Sequence, residues 1–162
     1  WRISNPLEAD FCVEALNEAI HEFGPPEIMN TDQGSQFTSF AWTDRLRRSG
    51  VRISMDDFGV GAANYEAFYE LPFDEIKIDR MFVANIAKDP KARAIVASIA
   101  AMGRGARITV VAEGLENPQD IPMLQEAGCQ QVQGFAFSRP LSLSNLLEYQ
   151  ELAPEQTLSN IV

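Results

Sequence analysis

The sequence predicts an α/β fold in which about five parallel strands alternate with helices, as a partial barrel or open sheet rather than a closed ring of eight. Three observations lead there. Short apolar or β-branched runs, such as Val51-Arg52-Ile53-Ser54 and Ile108-Thr109-Val110-Val111-Ala112, alternate with stretches of helical period. A polar residue closes each of the later runs, and a turn and a helical pattern follow it. The composition, 46% hydrophobic and 22% charged over 162 residues, suits a soluble chain with one well-buried core. Parallel strands need crossover connections, which helices supply with right-handed sense. In such sheets the polar groups at the carboxyl ends of the strands gather on one face, where sites are built.

The elements follow in order. Asn5-Pro6 opens the first helix, and Leu7, Phe11, Leu16, Ile20 and Phe23 give it an apolar stripe until Gly24-Pro25-Pro26 stops it. Glu27 to Asn30 reads as a strand, residues 38–49 as a helix ending at Ser49-Gly50, and Val51 to Met55 as the next strand. After a glycine-rich turn, Ala63 to Leu71 fits a helix broken by Pro72, and Ile76 to Asp79 a strand. Lys91 to Met102 carries Ile95, Val96, Ile99 and Met102 at helical spacing, with Gly103 and Gly105 expected to end it. Ile108 to Ala112 reads as a strand, Pro118 to Ala127 as a helix, Gln131 to Phe137 as a strand and Ser142 to Leu152 as a final helix. Residues 153–162 read as a tail, which leaves residues 1–152 as a single α/β domain.

The run Met55-Asp56-Asp57-Phe58-Gly59-Val60-Gly61 is the most informative feature. Two adjacent carboxylates repel each other, and a divalent cation with a preference for oxygen ligands offsets that cost. The alternative is an acid pair that only caps a turn or the following helix. Lys77, Glu113 and Gln133 occupy the same place at the ends of later runs. Each has a plainer role open to it: Lys77 as a surface cation paired with Asp79 or Glu75, Glu113 as a cap for the helix near Pro118, and Gln133 as a partner for a strand edge.

Asp56-Asp57-Phe58-Gly59-Val60-Gly61, Leu71-Pro72-Phe73-Asp74-Glu75-Ile76-Lys77-Ile78-Asp79-Arg80, Val111-Ala112-Glu113-Gly114-Leu115-Glu116 and Gln133-Gly134-Phe135-Ala136-Phe137-Ser138-Arg139-Pro140 together resemble the carboxyl-terminal half of an EAL domain, over about residues 46–149. That family hydrolyses cyclic di-GMP to linear pGpG with two Mg²⁺ or Mn²⁺ ions in a (β/α)8-type barrel. The resemblance implies that Asp56 bridges the two metals and that Asp57 ligates the second. It implies that Lys77 orients or polarises the attacking water, that Glu113 is a ligand or general base, and that Gln133 is a contact on the substrate side. The family's remaining ligands, a Glu, an Asn and another Glu from the first half of the barrel, have no counterpart in the resembling segment. Ala62-Ala63-Asn64 also departs from the Tyr-Ser-Ser expected in the turn, which puts its dimer-contact and loop-ordering role in doubt. The expectation is therefore a truncated EAL-like domain without catalytic activity. The alternative is a residual phosphodiesterase, or a module that binds cyclic di-GMP or metal.

Two earlier stretches, Trp1 to Leu16 and Asn30-Thr31-Asp32-Gln33-Gly34-Ser35-Gln36-Phe37-Thr38-Ser39, resemble instead the integrase-like core of insertion-sequence transposases. There Asp32 would match the second acid of an Asp, Asp, Glu metal triad and would be vestigial. The stretch Leu46 to Asp56 suits either family, so the chain reads as a fusion of two gene fragments, with residues 1–50 from the transposase.

Net charge is −10, and the acid excess occurs in both parts: five Lys/Arg against nine Asp/Glu in residues 1–56, eight against fourteen in the rest. This argues against a nucleic-acid partner, whose phosphates require cationic side chains. Cys12 and Cys129 are too few for a disulfide framework and are expected as buried thiols. His21, the only histidine, falls on a helix pattern and is expected at its surface. No run approaches a membrane span, and a cytoplasmic protein is expected. An open parallel sheet exposes an inner face and two edges, so a homo-oligomer, most simply a twofold dimer, is expected to cover them.

Overall fold

The computed structural model describes residues 9–60 and 64–152. In chain order the elements are α1 (Ala9–Phe23), β1 (Ile28–Thr31), α2 (Phe40–Arg48), β2 (Arg52–Phe58), α3 (Asn64–Glu70), β3 (Glu75–Ile78), α4 (Arg80–Val83), α5 (Pro90–Ala106), β4 (Thr109–Ala112), α6 (Ile121–Ala127), β5 (Gln131–Val132) and α7 (Leu143–Leu152). Five parallel strands alternate with helices in an open sheet, in the order β1-β2-β3-β4-β5. The helix start expected at Asn5-Pro6, the Ala63 start of the third helix and the tail at 153–162 lie outside the described residues. The chain forms two compact units, residues 1–76 and 77–162.

In the first unit, β1 and β2 run parallel with Asn30 opposite Ser54 and Thr31 opposite Met55. Leu46, Ile53, Met55 and Phe58 are fully buried and form its core, and Phe58 meets Phe68 edge to face with ring centroids 5.8 Å apart. Ser39 supplies the cap of α2, its hydroxyl accepting from the amide of Trp42. The stripe read on α1 is only partly used. Leu16 is buried, whereas Phe23 is 79% exposed because it sits in the last turn, just before Gly24 leads the chain away.

In the second unit the structure corrects three readings. α5 does not stop at Gly103 and Gly105 but runs through both and ends at Arg107, whose left-handed backbone (φ 62°) closes it. Gly103 is there for packing: a Cβ at that position would lie 2.2 Å from Cγ2 of Val110, so its absence lets α5 close onto β4. Asp79 is not part of β3 but caps the short helix α4, accepting from the amide of Met81 at 2.7 Å. β5 ends at Val132 rather than Phe137, and the chain turns at Phe135 to Phe137. Gly134 makes that turn feasible, since a Cβ there would lie 2.2 Å from the backbone oxygen of Leu115. Buried Val96, Ile99, Val110, Val111 and Leu124 fill the core of this unit.

Candidate metal centre

β2 runs on to Phe58, so Asp56 and Asp57 belong to the strand instead of following it, as the sequence had suggested. In a regular strand successive side chains face opposite ways. Here the alternation breaks: Met55 and Phe58, three residues apart, are both buried, while Asp56 is half-buried and Asp57 exposed. The cause is the backbone of Asp57, which is left-handed at φ 54°. That conformation costs an ordinary residue about 1–2 kcal/mol and is tolerated best by Gly, Asn and Asp. It sends Phe58 inward and leaves the two carboxylates together at the carboxyl end of the strand.

Asp56 is held from β1. The carboxamide of Asn30 donates from Nδ2 to Asp56 Oδ2 at 2.9 Å, and the amide of Asp57 donates to Asp56 Oδ1 at 3.2 Å. Gln33 Nε2 donates to the backbone oxygen of Asp57 at 2.9 Å and so steadies the left-handed peptide. Asn30 and Gln33 are the polar residues that sequence reasoning passed over. Their signal was their place at and just after the end of the strand preceding the acid pair. Asp32, between them, is exposed and accepts from the amide of Gly34 at 2.8 Å, the role of a turn-forming aspartate.

The second unit brings Lys77 and Glu113 together. Lys77 on β3 and Glu113 just after β4 form an ion pair with side chains only 10% and 15% exposed. A lysine is rarely buried unless paired, and here the pair supplies that condition. The amide of Glu113 donates to the oxygen of Ile78 at 3.1 Å, which fixes the end of β4 against β3. Asp79 caps α4, and Asn117 rather than Glu113 caps the turn at Pro118, accepting from the amide of Gln119 at 3.2 Å. In the first unit, Glu75 is buried and accepts from the Ser54 hydroxyl at 2.7 Å. Gln133 is half-buried, and its backbone links β4 to the following loop, donating to Ala112 O at 2.9 Å and accepting from Leu115 N at 3.0 Å.

The donor chemistry fits a hard divalent cation. Asp56 and Asp57 present carboxylate oxygens that solvent reaches, which suits Mg²⁺ or Mn²⁺ better than a metal that prefers sulfur. Of the two free cysteines, Cys129 is buried as expected, and burial pushes its thiol up to about 11, so it stays neutral and is a poor ligand. Cys12 is half-buried, because α1 presents that face only partly to the core.

Fold and strand-end chemistry together define a barrel-related α/β domain whose sheet carries acids at its carboxyl edge. The EAL domain family model matches residues 5–140, and the chain belongs to that family. The match takes in most of the amino-terminal segment for which a separate origin was expected. The cyclic di-GMP phosphodiesterase NbdA of Pseudomonas aeruginosa is 42% identical over 106 residues, 65% of this chain and 14% of that protein. Among solved structures, the PaMucR phosphodiesterase in complex with c-di-GMP superposes with TM-score 0.71 at 33% identity, covering 83% of this chain and 57% of that one. The manganese/cy-diGMP complex of Klebsiella pneumoniae BlrP1 superposes with TM-score 0.68 at 31% identity, covering 80% of this chain and 35% of that one. The chain spans only 13 to 27% of the length of the first curated relatives it matches.

Proposed function

We propose that this chain binds a divalent cation, Mg²⁺ or Mn²⁺, together with cyclic di-GMP, and that its own hydrolysis of the nucleotide is weak or lost. The observation that carries the reading is the left-handed backbone of Asp57. Strain of this kind persists where the surroundings enforce it and clusters at ligand sites, and here it presents two adjacent carboxylates. Asp56 and Asp57 are the acids assigned to the ion, and Glu113 is assigned as general base. Lys77, held by Glu113, is assigned to orienting water, and Gln133 to the nucleotide side. Once bound, the ion would polarise a phosphoryl oxygen and lower the pKa of bound water. Two-ion hydrolysis needs enough anionic ligands to hold both metals, and the acid pair of β2 is a sparse set for that. The c-di-GMP complex of PaMucR and the manganese/cy-diGMP complex of BlrP1 support the choice of nucleotide, and the latter the choice of manganese.

The test is a titration of Mn²⁺ with and without cyclic di-GMP, followed by melting temperature, with chromatography for pGpG. Ligand at 100 times its Kd should stabilise the fold by about 2.7 kcal/mol, and Asp56→Ala should abolish the gain. Absence of binding heat with either ligand ends the binding reading. Metal-dependent release of pGpG that disappears in Asp56→Ala makes the chain a working phosphodiesterase instead.

We also propose the finer points of origin and state. A transposase-derived origin of residues up to about 50, with Asp32 as a relic, rests on the resemblance of residues 1–16 and 30–39 alone, since the EAL match begins at residue 5; insertion-element sequence beside the gene would support it and its absence would remove it. Among the described residues no helix is long and apolar enough to cross a membrane. With a net charge of −10 we place the protein in the cytoplasm, without a nucleic-acid partner and as a twofold dimer, which sedimentation would test.

A further inference from the structure

We propose that the segment from Phe135 to Glu148 is the face on which a second copy of this chain docks, α7 lying antiparallel to its twin across a twofold axis. This deepens the reading of the protein as a twofold dimer and rests on it. Phe135, Leu141, Leu143, Leu146 and Leu147 are all exposed, Leu143 by 73% and Leu147 by 54%. Single apolar residues on a surface are ordinary, whereas a run of them marks a surface that something covers. On α7, Leu143, Leu146 and Leu147 follow the i, i+3, i+4 spacing that puts them on one side of a helix.

A helix of this length also needs a neighbour. α7 has 10 residues, and helices shorter than about 12–15 are marginal in water unless an apolar face is packed. From Leu143 to Glu148 every residue is exposed, and Tyr149 is half-buried. The Ser142 hydroxyl caps the start, accepting from the amide of Asn145 at a long 3.4 Å. Charge then selects the occupant. Arg139, the only Lys or Arg after Arg107 in the sequence, stands at one end of the apolar run, its guanidinium 4.7 Å from the centre of the Phe135 ring, and Glu148 stands at the other. Both are exposed. Antiparallel pairing about a twofold axis sets Arg139 of each copy toward Glu148 of the other with the leucines between them, whereas parallel pairing sets like charges together. A lipid surface fits worse, because interfacial helices carry Lys or Arg on their polar face and α7 has neither.

The experiment is sedimentation of the full chain over a series of protein concentrations, with amide hydrogen exchange measured in parallel. Exchange across residues 143–152 should slow as the dimer forms. Leu143→Gln with Leu147→Gln, which adds no charge, should weaken association by about a hundredfold, roughly tenfold for each leucine no longer buried. Arg139→Glu should weaken it about tenfold by setting acid against acid, Glu148→Arg should do the same, and the two reversals together should restore most of the loss. Both charges are exposed, so the reversals decide alone should the leucine variant fail to fold. A dimer that ignores all of these changes forms through another face, which leaves the dimer reading standing and overturns this inference. Slow exchange at 143–152 at every concentration shows that the chain covers α7 itself and overturns it as well. If the wild type sediments as a monomer throughout, the dimer reading has failed and takes the inference with it.

Discussion

Within residues 1–76 the paired acids stand half-buried and exposed, and neutral donors meet Asp56: the Asn30 carboxamide and a backbone amide. Within residues 77–162 the acid of interest, Glu113, is nearly out of solvent and is met by a full cation, Lys77. The physical reason is the cost of desolvation. A carboxylate in contact with water keeps most of its hydration, while one removed from water needs compensating hydrogen bonds or an opposite charge beside it. The same strand-end placement thus yields two settings: a half-buried acid met by amide donors in one unit, and an ion pair in the other.

The contrast is tested hardest at Lys77. Lys77→Met should cost about 3–5 kcal/mol in urea unfolding, because Glu113 loses its compensating charge in a poorly hydrated place, and adding Glu113→Gln should restore much of it. A loss below about 1 kcal/mol would show that Glu113 is satisfied otherwise and would dissolve the distinction between the units. Next in size is the pH response of the second unit. Burial raises the Cys129 thiol from 9.0 to about 11. The native state therefore prefers the neutral thiol: its contribution is complete below pH 9 and is lost as pH rises from 9 toward about 11. The amount is on the order of 2–3 kcal/mol, and Cys129→Val should remove that part of the alkaline decline measured by chemical denaturation.

Glu75 sharpens the comparison from the other side, because it is a buried acid of the first unit and the Ser54 hydroxyl donates to it. Ser54→Ala should cost about 1–3 kcal/mol by leaving that acceptor short of a donor. A negligible change would mean that a buried acid in this unit does not depend on the hydroxyl. The smallest effect has the opposite sign. Asp57→Gly should raise metal-free stability by about 1 kcal/mol through relief of the left-handed backbone, while weakening the Mn²⁺-induced rise in melting temperature. A fall in stability would show that the Asp57 carboxylate contributes to the fold itself.

Much of this was legible in the chain. The order of strands and helices follows from local period and turn residues, and β1 to β4 lie within three residues of where the pattern set them. The polar groups at strand ends were visible for the same reason, since a charged residue closing an apolar run stands out. What escaped notice depended on contacts distant in sequence. Gly103 and Gly105 read as a helix stop because glycine weakens helices locally, yet packing against Val110 outweighs that preference and carries α5 to Ala106. The partner of Lys77 was sought within two residues and lies thirty-six positions on, at Glu113.

Local sequence was sufficient to determine the alternation of strand and helix, the acidic balance and the acid pair in β2, because each depends on neighbours a few residues apart. Only the tertiary structure decided how those acids are held. The left-handed turn of Asp57 is offset by the burial of Phe58, the Asn30 bond exists because β1 lies beside β2, and Lys77 is paired because β4 delivers Glu113. The last two are pairings across strands, and the free energy of such a pairing is realised only when the sheet forms.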